Sequence, residues 1–105
     1  MQSTDLKTQI QEDIAANKVI VYSKSFCPYC DRTKELLNSK GVAYKLHELD
    51  QLPNGADIQA TLKTLTNQNT VPNIFINGAH IGGNSDLQAL NSAGKLDEKL
   101  SAAKL

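Results

Sequence analysis

Both cysteines of the chain, Cys27 and Cys30, stand three positions apart in one short segment, SKSFCPYC. A close pair of this kind serves redox chemistry or metal binding, whereas two cysteines are too few to cross-link a small secreted fold. An apolar run, KVIVYS, precedes the segment, and Pro28 suits the first turn of a helix that continues as YCDRTKELLNSKG. We therefore expect the pair at a turn between a β-strand and an α-helix.

The expected place of Cys27 at the helix start predicts different chemistry for the two thiols. Unpaired backbone N–H groups and the positive end of the helix dipole favour a thiolate there, and Lys24 adds a nearby positive charge. Cys30 lies one helical turn further on the same face, within reach of Cys27, and should be less exposed and less acidic. Because the thiolate is the nucleophile in disulfide exchange, Cys27 is predicted to attack and Cys30 to resolve.

Two other interpretations fit a lone Cys-X-X-Cys pair. The cysteines could pack a helix start as small apolar residues, which the proline between them disfavours. They could also ligate structural zinc, which needs four ligands, but the chain offers only His47, His80 and carboxylates besides, with no second cysteine pair. We expect both histidines to face solvent, and we predict no metal site.

The surrounding patterns predict elements in the order α-β-α-β-α-β-β-α, with one more short helix at the end. The first helix has an apolar face and Ser3 or Thr4 as its N-cap. The Asn77-Gly78 dipeptide favours a two-residue type I′ hairpin between the last strands. The predicted segments are a helix through Leu6, Ile10 and Ile14, strands 18–23 and 42–49, a helix 28–41 between them, a helix with Ile58, Leu62 and Leu65 after the Asn54-Gly55 turn, strands 74–76 and 79–81, a helix capped by Ser85-Asp86 that ends near Gly94, and a helix with Leu96 and Leu100.

These elements predict an α/β fold and a single domain over residues 1–105. The helix between the first two strands makes them parallel neighbours, and the hairpin adds two antiparallel strands. The economical arrangement is a four-stranded mixed sheet flanked by helices on both faces, with the cysteines at its carboxyl edge, where ligand sites of such sheets gather.

Charge and hydropathy restrict the function classes. Basic and acidic residues both number 11, which argues against a nucleic-acid or membrane-surface binder. No stretch approaches the roughly 18 apolar residues that cross a bilayer. The N-terminal segment is typical of neither a signal peptide nor a transit peptide, so we expect a cytoplasmic protein. Since the chain is neutral, forms one domain and shows no extra apolar face, we expect a monomer.

Three segments, SKSFCPYC, TVPNIFINGAHIGG and SDLQAL, together resemble a dithiol glutaredoxin of the CPYC type over nearly the whole chain. The resemblance implies a thioredoxin fold and glutathione as the electron donor. It also implies reduction of protein–glutathione mixed disulfides and protein disulfides, with glutathione reductase and NADPH recycling the oxidised glutathione.

The resemblance further implies a glutathione site. The proline of TVP would be cis and would face Cys27, although Val71-Pro72 also suits a strand entry. Ser85 and Asp86 are also ordinary helix caps. The implied residues are Lys24, Gln59 and Thr70 for the glycine carboxylate, the main chain of Val71 beside Pro72 for the cysteinyl part, Ser85 and Asp86 for the γ-glutamyl end, Gly82 and Gly83 for close backbone approach, and Tyr29 as a wall.

One residue departs from the family pattern. Many glutaredoxins carry Arg or Lys directly before TVP, where this chain has Asn69. An amide can bond a carboxylate but gives no charge, so we expect weaker glutathione binding than in relatives with the basic residue.

Two alternatives remain within the wider superfamily. Some glutaredoxins hold a [2Fe–2S] cluster between two subunits, but a proline after the first cysteine, here Pro28, is associated with poor cluster assembly. A thioredoxin-like reductase would work without glutathione. Against it stand Pro28-Tyr29, where thioredoxins have Gly-Pro, and the absence of tryptophan from the chain.

Overall fold

The computed structural model describes residues 5–102, which form one four-stranded mixed sheet with helices on both faces. The strand order is β2-β1-β3-β4, with β1 parallel to β2 and antiparallel to β3, and β3 antiparallel to β4. The predicted element order and sheet are confirmed. The elements are α1 (Leu6–Ala16), β1 (Val19–Ser23), α2 (Pro28–Ser39), β2 (Lys45–Glu48), a 3₁₀ turn (Leu49–Gln51), α3 (Gly55–Thr66), β3 (Asn73–Ile76), β4 (Ala79–Gly82), α4 (Asn84–Ser92) and α5 (Leu96–Ala102). Within this part of the chain no helix is long and apolar enough to span a membrane.

Strand β1 is the centre of the core because each of its five residues is buried. Successive side chains of a strand point to opposite faces, so this strand serves two apolar clusters. Val19 and Val21 face the layer of α2, α4 and α5, where they pack with Leu37 and Leu87. Ile20 and Tyr22 face the layer of α1 and α3, with Ile10, Leu62 and Phe75. The helices on both faces therefore hold the strand from which the cysteine segment emerges.

Some predicted boundaries are wrong. Strand β2 covers only Lys45–Glu48, because its ladder with β1 starts at the pair Ile20–Lys45, and Val42 and Tyr44 pack on the core without pairing in the sheet. The type I′ hairpin is confirmed by the positive φ angles of Asn77 (54°) and Gly78 (84°).

The start of α1 is set by Asp5, whose carboxylate accepts a hydrogen bond from the Thr8 N–H at 2.8 Å. Ser3 and Thr4, the predicted caps, lie outside the described residues.

Gly55, the first residue of α3, is buried directly against the 3₁₀ turn. A Cβ atom added there would stand 1.8 Å from the carbonyl oxygen of Leu49, a backbone atom that cannot move alone. The close contact fixes the turn relative to α3. Since the turn also carries Asp50, this packing bears on the cysteine segment described below.

We expect Gly55→Ala to lower the free energy of unfolding by more than about 2 kcal/mol, because the added methyl group overpacks a site closed by backbone. The matched control is Gly94→Ala, where no atom lies within 4 Å of the new Cβ and only the positive φ of 75° opposes it. That control should cost about 1–2 kcal/mol. Urea unfolding followed by far-UV circular dichroism measures both, and a smaller loss in Gly55→Ala than in the control would contradict the argument.

Candidate active site

Cys27 is the N-cap of α2, and Pro28 occupies the first helical position beside it. The Cys27 sulfur accepts a hydrogen bond from the Cys30 N–H at 3.1 Å, so it pairs one of the free donors at the helix start. The residue is partly exposed. It thus receives an N–H bond and the positive end of a helix dipole, the two interactions that stabilise a negatively charged sulfur.

Cys30 is completely buried and differs sharply from Cys27 in exposure, as the sequence predicts. Burial raises the pKa of the Cys30 thiol to about 11, and a hydrogen bond with Cys27 adds to this, while the Ser23 hydroxyl and the Lys24 backbone act in the opposite direction. At neutral pH the buried sulfur therefore carries its proton.

The loop before Cys27 is held by Asp50, a residue that sequence reasoning missed. Its carboxylate accepts a hydrogen bond from the Ser25 N–H at 2.9 Å and a short one from the Ser25 hydroxyl. These two hydrogen bonds lower the Asp50 pKa to about 2, and the bond from the Ser25 hydroxyl has the larger effect. A signal existed: Asp50 follows β2, and the carboxyl ends of parallel neighbours meet at one edge of the sheet.

The Val71-Pro72 peptide bond is cis, as the resemblance implies. The carbonyl oxygen of Val71 lies 3.8 Å from the Cys27 sulfur and accepts a weak hydrogen bond from it in the thiol form. The ladder between β1 and β3 ends at the pair Tyr22–Asn73, so Val71 lies just beyond it. Its main chain is thereby placed beside the exposed sulfur and outside the sheet ladder.

Two glutamines hold the loop that leads to Pro72. The Gln68 amide nitrogen donates to the carbonyls of Thr70 at 3.1 Å and Pro72 at 2.9 Å. Its oxygen lies 3.1 Å from His80 Nε2, which must carry the proton for this bond to form. Gln59, predicted as a ligand-binding amide, donates to the Asn69 carbonyl at 2.7 Å. Gln68 is a second site residue that the sequence did not reveal.

The start of α4 differs from the prediction, since its N-cap is Gly83 and its first residue is Asn84. Ser85 is therefore inside the first turn and is not the cap. The Asp86 carboxylate reaches back to accept a hydrogen bond from the Gly83 N–H at 3.0 Å. Gly82 permits this, because its φ is 118° and an added Cβ would stand 2.2 Å from Asp86 Oδ2.

The outer rim of the site has two exposed aromatic rings. Phe26 and Tyr29 expose 73% and 59% of their surface. The Arg32 guanidinium lies 5.4 Å from the centre of the Tyr29 ring, within the range of a cation–π contact. Lys24 is half-buried, and its carbonyl accepts the Cys27 N–H at 3.3 Å. These four residues belong to the cysteine segment or to the first turns of α2.

The two histidines have different surroundings. His47 is half-buried and stacked on Tyr22, its partner in the β1–β2 register, so the expectation that it faces solvent is wrong. His80 is exposed, as expected. Between residues 5 and 102, no three His, Cys, Asp or Glu side chains are grouped as metal ligands.

Comparison with known proteins gives consistent matches. The Glutaredoxin family model matches residues 19–81. The chain is 48% identical to Glutaredoxin-C6 of Oryza sativa subsp. japonica, covering 89% of this chain and 83% of that protein. It is 46% identical to Glutaredoxin-2 of Schizosaccharomyces pombe, covering 93% and 89%. The crystal structure of a buckwheat glutaredoxin–glutathione complex superposes with a TM-score of 0.90 at 40% identity, covering 92% of this chain and 88% of that one.

The thioredoxin fold of this chain and its Cys-Pro-Tyr-Cys segment at the start of α2 agree with these matches. The chain belongs to the glutaredoxin family of glutathione-dependent thiol–disulfide oxidoreductases.

Proposed function

We propose that this glutaredoxin reduces protein–glutathione mixed disulfides and protein disulfides, with Cys27 as nucleophile and Cys30 as resolving cysteine. One observation carries the assignment. The Cys27 sulfur caps a helix and is partly exposed, whereas Cys30 is buried with a raised pKa. Only the first sulfur can meet a substrate disulfide from solvent.

With a glutathionylated protein, the Cys27 thiolate attacks the glutathionyl sulfur. A bond forms between the two sulfurs, and the protein thiol leaves in its reduced state. The thiolate of a second glutathione then attacks the same glutathionyl sulfur, which restores Cys27 and releases glutathione disulfide. Glutathione reductase and NADPH return that disulfide to two glutathione molecules.

With a protein disulfide, Cys27 first forms a mixed disulfide with one substrate sulfur. Cys30 then attacks Cys27, closes the intramolecular disulfide and releases the second substrate thiol. Two glutathiones reopen the pair in succession. Cys27 caps α2 and Cys30 lies in its first turn, which keeps the second step intramolecular.

The glutathione seat that we propose runs from α3 across the Val71-Pro72 loop to α4. The Val71 main chain would pair with the cysteinyl part, since its carbonyl lies 3.8 Å from the Cys27 sulfur. The start of α4 adjoins this loop, because a Cβ on Gly83 would stand 3.6 Å from the Pro72 carbonyl. The assigned residues are Lys24, Gln59 and Thr70 for the glycine carboxylate, Val71 and Pro72 for the cysteinyl part, Gly83, Ser85 and Asp86 for the γ-glutamyl end, and Tyr29 as a wall.

The helix start at Gly83 supports the γ-glutamyl assignment on electrostatic grounds. Backbone N–H groups and the helix dipole suit the ligand's carboxylate, and the Asp86 side chain suits its ammonium group. One Asp86 oxygen already accepts the Gly83 N–H, which fixes the direction of the side chain. The buckwheat relative, which superposes over most of the chain, was solved as a glutathione complex.

We also propose that the chain acts as a monomeric single domain in the cytoplasm. The balanced charge supports the absence of a nucleic-acid partner. Two closely spaced cysteines suit a reducing compartment, where such a pair can cycle.

Replacing each cysteine by serine tests the division of roles. In a coupled assay with glutathione, glutathione reductase, NADPH and a small glutathione mixed disulfide, we expect Cys27→Ser to be inactive and Cys30→Ser to stay active. Cys30→Ser should lose reduction of a protein disulfide that requires intramolecular closure. Omitting glutathione is the control for background NADPH oxidation, and the reverse pattern of activities would refute the assignment.

The buried state of Cys30 predicts slow alkylation. In Cys27→Ser at pH 7, iodoacetamide should modify Cys30 far more slowly than it modifies Cys27 in Cys30→Ser, because burial keeps the thiol protonated and shielded. The rate on Cys30 should rise steeply as pH approaches the alkaline range. Intact-mass spectrometry follows both reactions, and equal rates at pH 7 would count against the asymmetry.

Asn69 allows a test of charge at the glycine end of the proposed seat. Asn69 is exposed, and its main-chain carbonyl already accepts a hydrogen bond from the Gln59 side chain. Asn69→Arg should lower the KM for glutathione about 1.4- to fivefold, since an exposed ion pair contributes roughly 0.2–1 kcal/mol. Asn69→Gln, which keeps a neutral amide, is the control. An unchanged KM in the arginine variant would show that this position does not contact the ligand.

A further inference from the structure

A polar cluster joins α2 to the end of β2, one helical turn beyond Cys30. Lys34 Nζ of α2 contacts Glu48 Oε2 at the end of β2, at 2.5 Å. The two side chains are only 18% and 21% exposed. The second carboxylate oxygen, Glu48 Oε1, is buried without a hydrogen-bond partner among the described residues. Nothing in the reaction with Cys27 alone uses this pair.

Register and helix spacing place the pair next to Cys30. Lys34 follows Cys30 by four positions in α2, so both lie on the helix face toward the sheet. Glu48 is the register partner of the buried Ser23 in β1, and the same face of β1 packs against Leu37 of α2. The ion pair and the Cys30 sulfur therefore share the layer between α2 and the sheet.

The charges in this layer act on one another. Burial works to lower the Lys34 pKa, but the hydrogen bond and charge of Glu48, with the charges of Asp31 and Cys30, raise it above its usual value. Coulomb attraction is mutual. Because Cys30 carries its proton at rest, this attraction arises only as negative charge develops on its sulfur, and the Lys34 ammonium group then stabilises that charge.

We infer that Lys34, held in place by Glu48, is a positioning residue for the resolving step, in which it stabilises negative charge on the Cys30 sulfur. The inference rests on the proposed role of Cys30. In this step the Cys27–Cys30 bond forms and the bond from Cys27 to the substrate or glutathionyl sulfur breaks. The Cys30 proton ends on the departing thiolate, so no further oxidant or reductant is needed. The nucleophilic step of Cys27 does not depend on the pair.

A single-turnover experiment separates the two steps. Reduced protein is mixed with excess glutathione disulfide, quenched with acid at intervals and analysed by intact-mass spectrometry. The glutathionylated species reports the attack by Cys27, and its conversion to the intramolecular disulfide reports closure by Cys30. The measured quantity is the rate of closure relative to the rate of attack within the same time course.

We expect Lys34→Gln to lower the ratio of the closure rate to the attack rate about three- to fourfold. A rise of one unit in the Cys30 pKa removes about nine-tenths of the thiolate, which alone would slow closure about tenfold. The thiolate that remains is more nucleophilic, because nucleophilicity rises with pKa with a Brønsted coefficient of about 0.4–0.5, and this offsets part of the slowing. Lys34→Arg keeps the charge and should keep a ratio near the wild-type value. A normal ratio in Lys34→Gln would overturn the inference, as would an equal loss in both variants.

Two further variants distinguish electrostatics from packing. Lys40→Gln removes an ion-paired lysine at the other end of α2, where Nζ lies 2.9 Å from Asp97, and should leave the ratio unchanged. Glu48→Gln removes the opposing charge but keeps an amide oxygen that can still accept the Lys34 hydrogen bond and hold the ammonium group, so closure should be at least as fast as in the wild type. If Glu48→Gln slows closure as much as Lys34→Gln, the pair acts by packing alone and the inference is wrong.

The same traces separate this inference from the proposed function. A wild-type protein that forms the mixed disulfide but never closes would refute Cys30 as the resolving cysteine, and the inference would fail with it. A wild-type protein that closes at the same rate as Lys34→Gln would refute only the role of Lys34.

Discussion

The hydrogen bond from the Cys30 N–H to the Cys27 sulfur joins the fold to the chemistry. A helix start needs acceptors for its free N–H groups, and here a reactive sulfur meets that need. The cap also separates the two cysteines, because the residue at the cap stays at the surface while the residue one turn later enters the core. One local constraint thus gives the pair one accessible and one buried sulfur.

The rest of the structure keeps that helix start in place. Strand β1 is buried on both faces and directs the chain into the turn, and the Asp50 carboxylate holds Ser25 immediately before the cap. On the other side of the sulfur, Gln68 fixes the carbonyls on either side of Val71. The site is therefore bounded by two separate loops, each held by hydrogen bonds from an exposed or half-buried side chain.

The sequence predicts the structural elements that local residue patterns determine, and it misses the contacts that form only when tertiary packing brings distant residues together. The apolar run of β1, the proline after Cys27 and the Asn77-Gly78 turn each act within a few residues, so the sheet and the cap are predicted correctly. Asp50 and Gln68 act on main-chain groups that tertiary packing brings to them, which periodicity does not reveal. The predicted start of α4 is wrong because Gly83 caps the helix without a side chain, whereas the usual capping types Ser85 and Asp86 follow two and three positions later.

The neighbours of the Val71-Pro72 loop are mostly uncharged, and this bears on how the site discriminates among ligands. Gln59, Gln68 and Asn69 contribute amides or carbonyls, and two of the three amides already hold the loop. In our proposal, the charge that meets an anionic peptide comes from Lys24 and the N-terminus of α4, at opposite ends of the proposed seat. A ligand with carboxylates at both ends satisfies both positions, whereas a shorter thiol satisfies one at most. In the proposed seat, this separation of charge would favour a tripeptide, and the Val71 main chain between the two ends would place the ligand's sulfur beside Cys27.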